Sequence, residues 1–184
     1  MKGFDREDRL VSLCGLNCGL CPMKIGGYCP GCGGGPGNQS CAIAKCSLSH
    51  NGVAYCTQCV EFPCQKYQDI DCYDSFITHQ NRRKDLKKLQ TYGVEAYHAE
   101  QREKAAILTE LLQQYNDGRR KTLFCTAVNL LELDGLKAVM TQLHDRVDEI
   151  PLEERAKRAA ALLQAEAQRQ SVDIRLRKKS KKTK

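Results

Sequence analysis

The sequence lacks any long hydrophobic run. Its longest uninterrupted apolar stretch is the five-residue segment from Ala159 to Leu163, whereas a helix needs about 20 apolar residues to cross a bilayer. The first ten residues, MKGFDREDRL, do not contain the apolar stretch of a secretory signal. The sequence therefore predicts a protein without a membrane span, located in the cytoplasm.

Histidines and recognisable catalytic motifs are also scarce. The four histidines stand apart from one another and from any cysteine at metal-ligand spacing. No Ser/His/Asp set, paired-carboxylate motif or metal-hydrolase helix signature is present. The glycines at 33–37 are not followed by the Gly-Lys-Ser/Thr of a phosphate-binding loop. The sequence thus leaves open whether the protein is an enzyme, and if it is one, a metal would supply the chemistry.

The positive charge is confined to the end of the chain. Residues 1–72 carry six cationic and six anionic side chains, residues 73–174 carry 16 of each, and the net charge of +7 comes from residues 175–184. We expect this basic tail to be solvated. The tail could contact the phosphates of nucleic acid, since such contacts are electrostatic and sequence-independent. Nucleic acid is nevertheless the less favoured partner. The aromatic residues, 6% of the chain, are not interleaved with basic ones.

Cysteine, unlike histidine and the catalytic motifs, is abundant in this chain. The chain has 12 cysteines, and a reducing compartment disfavours structural disulfides, so metal ligation is the favoured explanation. Ten cysteines fall in closely spaced groups within 51 residues, and these are the predicted metal ligands: Cys14, Cys18, Cys21, Cys29, Cys32, Cys41, Cys46, Cys56, Cys59 and Cys64. Cys72 is an uncertain eleventh ligand, and Cys125 is predicted to be a buried core residue.

The spacing permits two kinds of all-sulfur site. The Cys14-x3-Cys18-x2-Cys21 group has the spacing of cubane ligands, and the Cys21-Pro22 and Pro63-Cys64 pairs resemble the prolines beside ferredoxin ligands. By contrast, Cys29-Pro30-Gly31-Cys32-Gly33 resembles a zinc knuckle, for which Cys56-x2-Cys59 would be the partner. We expect iron–sulfur clusters, most simply 4Fe-4S, used for electron transfer or redox chemistry with a redox partner protein. The alternative is a structural zinc module that contacts protein or nucleic acid. Which cysteines share a site is not fixed by spacing.

The hydrophobic pattern changes after residue 72. Residues 1–72 hold 11 of the 14 glycines and few periodic apolar positions, so they predict a small cysteine-rich, metal-stabilised module with little regular sheet. Residues 73–172 show helical periodicity and predict an all-α domain. We place helices near residues 79–92, 94–115, 121–132, 135–147 and 151–170. Residues 173–184 are predicted to be a disordered basic tail.

One connection in the helical domain carries three consecutive cations. The segment Asn116-Asp117-Gly118 predicts a turn, and Arg119, Arg120 and Lys121 follow it directly. The favoured interpretation is a solvated helix connection. The alternative is a site for an anionic substrate, or a charge that tunes a nearby cluster.

Four cysteine-bearing stretches, SLCGLNCGLCP, YCPGC, CAIAKC and YCTQCVEFPCQKY, resemble the signature of the domain of unknown function 3795 family. The later stretches SFITH, YNDGRRK and FCTAVNLL are similar to its longer members. The resemblance covers roughly residues 11–145. It implies a cysteine-rich protein of a type common in anaerobic bacteria and archaea, which favours iron–sulfur over zinc. It implies no catalytic residues.

Overall fold

The computed structural model describes residues 3–35, 41–145 and 150–179. These residues form seven α-helices and three short 3₁₀ helices, and no sheet is found among them. The only extended pairing in the described ranges is an isolated antiparallel bridge between Val11 and Asn17. The expectation of a mostly helical protein with little sheet is confirmed.

Five long helices lie where the apolar periodicity predicts them. They are α3 (Arg82–Tyr92), α4 (Val94–Gln114), α5 (Lys121–Leu130), α6 (Leu133–His144) and α7 (Leu152–Arg169). Helix α3 ends at Gly93, which has the positive φ of +84° that glycine adopts freely. Two shorter helices, α1 (Pro22–Ile25) and α2 (Ala42–Ser49), precede them. Residues 146 and 147 of the fourth predicted helix lie outside the described residues.

The chain divides into two compact units. The first contains residues 1–97 together with residues 176–184, and the second contains residues 98–175. The first unit thus includes the predicted cysteine-rich module and continues through α3 to Tyr97. Eleven of the 12 cysteines belong to it.

The core of the second unit is made by apolar stripes on its helices. Leu111, Phe124, Leu136 and Leu163 are each fully buried. Helix α7 packs against α5 and α6 and contributes small side chains to the contact, among them the fully buried Ala156. Every one of these residues belongs to a periodic pattern visible in the sequence, which is why the helical prediction succeeds.

The first unit has a smaller core, to which cysteines contribute. Leu13, Tyr67 and Leu86 are almost completely buried, with Phe4, Ile43 and Ala44 beside them. Four half-buried cysteines pack against this cluster: Cys14, Cys32, Cys56 and Cys64. A second buried cluster of the same unit consists of Val11, Tyr55, Leu89 and Tyr97.

The C-terminal segment contributes a buried ion pair to the first unit. The side chain of Asp74 is fully buried and lies 3.0 Å from the guanidinium of Arg177, and the Arg177 backbone N–H donates to the same carboxylate at 2.7 Å. Burial alone would raise the pKa of Asp74, but hydrogen bonds from Arg177 and His79 outweigh it and hold that pKa below its ordinary value. The prediction of a disordered tail over residues 173–184 is therefore wrong at Arg177, which makes defined contacts. Residues 180–184 lie outside the described residues.

Replacing Arg177 with alanine is expected to lower the unfolding free energy by about 1–3 kcal/mol, because the buried Asp74 carboxylate loses its cation. The loss is limited to this range because solvent screens the partly exposed Arg177 side chain. The loss should be full at neutral pH and disappear as the pH falls through the lowered pKa of Asp74, where the carboxyl becomes protonated. Urea denaturation at several pH values measures this. Arg175→Ala is the control, since that side chain is 86% exposed; equal effects of both variants would contradict the assignment.

No helix in the described ranges is both long enough and apolar enough to cross a membrane.

Candidate metal centre

All 12 cysteines are described, and all are free thiols. Cys125 is 3% exposed in helix α5, among core residues of the second unit, so the prediction that it is a buried core residue is confirmed. Cys41 and Cys72 are exposed, and the other nine are partly buried. The partly buried thiols belong to the first unit, and two groups can be distinguished among them.

Four cysteines line one cavity, and we call them the cavity group: Cys46, Cys56, Cys59 and Cys64. The cavity is partly open, and the space in it that a water-sized group can reach is about 30 Å³. Ile43, Val53, Phe62 and Tyr67 supply apolar walls. Such surroundings limit the access of water to the sulfurs, and solvent access is one of the factors that set the redox potential of a metal–thiolate centre.

Local backbone structure positions the cavity group. Cys46 lies in α2, Cys56 begins a 3₁₀ helix, and the Cys59 N–H closes that turn by donating to the Cys56 carbonyl at 3.0 Å. Cys64 precedes another 3₁₀ turn, in which the Tyr67 N–H donates to the Cys64 carbonyl at 2.9 Å. Three successive short segments therefore present their sulfurs to a single space.

The Tyr67 ring connects the cavity to the core. It packs edge-on against Phe62 with ring centroids 4.9 Å apart, and its hydroxyl donates to the Cys14 carbonyl at 3.3 Å. Burial raises the pKa of the Cys56 thiol to about 11, and the thiols of Cys14, Cys64 and Cys46 raise it further. The single Tyr67 hydroxyl proton lowers that pKa when it is donated to the Cys56 sulfur in place of the Cys14 carbonyl. The Cys56 thiol is therefore close to three other sulfurs, and without a cation these groups disfavour one another's thiolate forms.

A second set of thiols surrounds Cys18, and we call it the Arg6 group: Cys14, Cys18, Cys21 and Cys32. Burial raises the pKa of Cys18 to about 12, the Cys32 backbone N–H lowers it by donating to the sulfur, and the thiols of Cys32, Cys21 and Cys14 raise it again. The Cys18–Leu20 3₁₀ helix and the following helix α1 hold Cys18 and Cys21 on successive turns.

Cys32 joins this group through a glycine-rich turn. Gly31 and Gly33 on either side of it have φ values of +92° and +81°, which L side chains rarely adopt. Burial raises the pKa of the Cys32 thiol, while the Leu13 N–H and the guanidinium of Arg6 lower it. Cys32 is therefore the thiol of this group that lies beside a cation.

Within the Arg6 group, Cys14 is the member nearest to the cavity group in its contacts. It influences Cys18 and Cys32 on one side and Cys56 on the other, and its sulfur lies 3.2 Å from the Ser12 hydroxyl. The backbone link is direct as well, because the Cys56 N–H donates to the Leu13 carbonyl at 3.0 Å. The two thiol groups are thus neighbours in one unit.

Three further cysteines are placed outside these groups. Cys29 is partly buried, and its N–H donates to the Met23 carbonyl at 3.2 Å. Cys41 is exposed at the start of α2. Cys72 is exposed, and its thiol donates to the Asp69 carboxylate at 3.8 Å. None of these three lines the cavity of Cys46, Cys56, Cys59 and Cys64.

The donors fit a soft metal centre in type. Each group offers four cysteine sulfurs, which suit iron–sulfur clusters and zinc. His50 also lines the cavity, with a ring nitrogen 3.6 Å from the Cys46 sulfur, so the expectation that the histidines stand apart from the cysteines is wrong for His50. In the described part of the chain, no three His, Cys, Asp or Glu side chains are placed to ligate one and the same ion. The thiols of the cavity group instead surround a space.

Two residues of the site escape prediction from sequence. Arg6 stands in the highly charged segment Asp5-Arg6-Glu7-Asp8-Arg9, which suggests a solvated surface, yet its side chain is buried beside Cys32. Tyr67 follows the last predicted ligand by three positions and resembles any aromatic core residue. No local signal distinguishes either one, because long-range contacts create both roles.

The cationic segment in the second unit forms a turn. The Gly118 and Arg120 N–H groups both donate to the Asn116 side-chain oxygen at 3.2 Å, and the Arg120 guanidinium lies 3.5 Å from Asp117. The predicted turn is confirmed, and one of its three cations is paired within the turn.

In comparisons with known proteins, no family model, curated protein or solved structure matches the chain. The resemblance to the domain of unknown function 3795 family stays a prediction.

Proposed function

We propose that the protein is a cytoplasmic iron–sulfur protein that serves in electron transfer or other redox chemistry. The observation that supports this most is the cavity group, in which Cys46, Cys56, Cys59 and Cys64 line one partly open cavity. A cluster held there would accept and donate single electrons at a potential set by its thiolate ligands and their surroundings. The chain's own contribution is to place the four sulfurs, exclude water and offer hydrogen bonds.

The cysteine pattern favours a cluster over a single ion. Cys14-x3-Cys18-x2-Cys21 has the spacing of cubane ligands, and Pro63 precedes Cys64 of the cavity group as prolines stand beside ferredoxin ligands.

Absorption spectroscopy tests the proposal. Protein purified without oxygen is expected to be brown, with a broad band near 400 nm that dithionite weakens as the cluster takes up an electron. A Cys125→Ala variant is the control, because that thiol belongs to the core of the second unit. A colourless protein that shows no such band after anaerobic incubation with iron and sulfide would overturn the proposal.

A structural zinc module is the second candidate, and one observation favours it. The turn that holds Cys32 has Gly31 and Gly33 at positive φ, which glycine adopts freely and which lets the chain turn tightly around a thiol. The partner pair suggested by the spacing is Cys56 and Cys59, which instead line the cavity with Cys46 and Cys64. If zinc is the metal, chelation should unfold the first unit and abolish no redox activity. Binding to nucleic acid through the basic tail would decline steeply with salt.

A further inference from the structure

The first unit carries the surplus positive charge of the chain. Residues 1–97 and 176–184 contain 17 lysines and arginines against nine acidic residues, a formal charge of +8 with neutral thiols, whereas residues 98–175 have a formal charge of −1. The tyrosine and phenylalanine side chains that are exposed in the described residues belong to the same unit: Tyr28, Tyr73, Phe76 and Tyr92. Proteins that bind single-stranded nucleic acid combine these two kinds of surface.

The C-terminal segment is attached to the first unit by the contacts between Asp74 and Arg177, which we call the clamp. The Asp74 N–H donates to the Arg177 carbonyl at 2.8 Å, and the Arg177 N–H donates to the Asp74 carboxylate at 2.7 Å. The Arg177 guanidinium donates to the same carboxylate at 3.0 and 3.3 Å. Two residues that are 103 positions apart are thereby held together.

The clamp brings exposed lysines to exposed aromatic side chains. The Asp74 N–H and the carbonyl that accepts its hydrogen bond belong to the peptide bonds after Tyr73 and before Lys178, so Lys178 lies beside Tyr73. Lys178 and Lys179 are exposed, Tyr73 is 46% exposed, and Phe76 is 66% exposed. Aromatic and basic residues are not interleaved in the sequence, but the fold places them together here.

Hydrogen bonds fix the loop that presents these rings. The Ser75 N–H donates to the Ile77 carbonyl at 3.2 Å, and the His79 N–H donates to the Asp74 carboxylate at 2.7 Å. Ile77 is buried, whereas Phe76 beside it is exposed to solvent. A ring on an anchored loop loses less conformational freedom when a ligand stacks on it, which favours binding.

We propose that Tyr73, Phe76, Lys178 and Lys179 form a binding surface for single-stranded nucleic acid. The lysines neutralise backbone phosphates, and the rings stack on unpaired bases. Neither contact reads base edges, so binding tolerates changes of sequence. None of the four residues lines the cavity of the candidate metal centre. This activity therefore goes beyond the proposed redox function and does not depend on which metal is bound.

Fluorescence anisotropy with a short labelled DNA strand of mixed sequence tests the proposal on the full-length protein. Phe76→Ala should weaken binding about 5-fold or more, because a base loses its stacking partner. The double variant Lys178→Gln, Lys179→Gln should lower the slope of log binding constant against log salt concentration by about 1.4, since each phosphate contact to a single strand contributes about 0.7. The duplex of the same sequence should bind more weakly than the single strand.

Two control variants make the same chemical changes outside this surface. Tyr28→Ala removes a ring that is 76% exposed. The double variant Lys137→Gln, Lys157→Gln removes two half-exposed cations of the second unit. Both controls should keep the affinity and the salt slope of the wild type.

Arg177→Gln tests whether the clamp is needed. It keeps Lys178, Lys179 and both rings but removes the ion pair that holds them together, so binding should weaken towards that of the double-lysine variant. Arg175→Gln also removes one cation, from a side chain that is 86% exposed, and should change binding little. If Arg177→Gln disturbs folding, Phe76→Ala keeps the test decisive, because that side chain is exposed to solvent.

Four results would overturn the inference: no binding at low salt, equal affinity for duplex and single strand, equal effects of test and control variants, or equally tight binding of labelled poly-glutamate. The last would identify a surface for acidic polypeptides instead. None of these results bears on the proposed iron–sulfur function, which iron analysis tests separately.

Discussion

The Cys59→Ser variant is expected to lose the cluster of the cavity group, and with it about half of the iron if both thiol groups are loaded. Serine replaces a soft thiolate with a hard hydroxyl that stays protonated near neutral pH, so one of four ligands is lost. The loss should also destabilise the first unit, because metal binding contributes to the free energy of folding of small metal-bound domains. Iron analysis and limited proteolysis measure the two effects.

Cys72→Ser is the matched control for this variant. Cys72 belongs to the same unit but is exposed and bonds to Asp69 rather than lining the cavity. We expect it to retain the wild-type iron content and the wild-type resistance to protease. If Cys72→Ser lost as much iron as Cys59→Ser, the cavity group would not be the metal centre described above.

The Gly15→Ala variant is expected to lower the unfolding free energy by about 2–5 kcal/mol. Gly15 closes the turn between Cys14 and Cys18 with a φ of +93°, and an added Cβ would lie 2.6 Å from both the Arg82 carbonyl oxygen and the Leu86 side chain. Left-handed backbone costs an L-residue about 1–2 kcal/mol, and overpacking adds about 1–3 kcal/mol. Because helix α3 would have to move, the Cys14–Cys18 turn should loosen as well. Denaturant unfolding measures the loss.

Gly27→Ala separates backbone strain from overpacking as the cause of the lost stability. Gly27 has a φ of +76°, similar to that of Gly15, but nothing lies within 4 Å of the Cβ that it would gain. We expect a loss of about 1–2 kcal/mol from backbone strain alone. Equal destabilisation by Gly15→Ala and Gly27→Ala would mean that the close packing of Gly15 against helix α3 does not contribute to the unfolding free energy.

The helices were predictable because their signals are local. Leu136, Val139, Met140 and Leu143 recur at helical spacing, and all four are buried on one face of α6. The apolar periodicity shows which side of a helix faces the core, and this does not depend on which element packs against that side. The helix ends could also be predicted where glycine permits a positive φ, as at Gly93.

The grouping of the cysteines could not be predicted in the same way. Cys32 lies closest in sequence to Cys29, yet its backbone and its thiol both influence the pKa of Cys18, 14 positions earlier. Cys46 lies closest to Cys41, yet it lines a cavity with Cys56 and Cys64. Spacing shows which cysteines can share a turn, whereas the choice of partners depends on contacts between distant segments. The burial of Arg6 in a charged stretch has the same origin.

Elemental analysis tests the central claim most directly. Iron, zinc and acid-labile sulfide should be measured per chain on the full-length protein, purified without oxygen. The account predicts iron and sulfide in about equal amounts, near four of each per loaded thiol group, and little zinc. Stoichiometric zinc without iron or sulfide would contradict it and identify the cysteines as ligands of a structural zinc module.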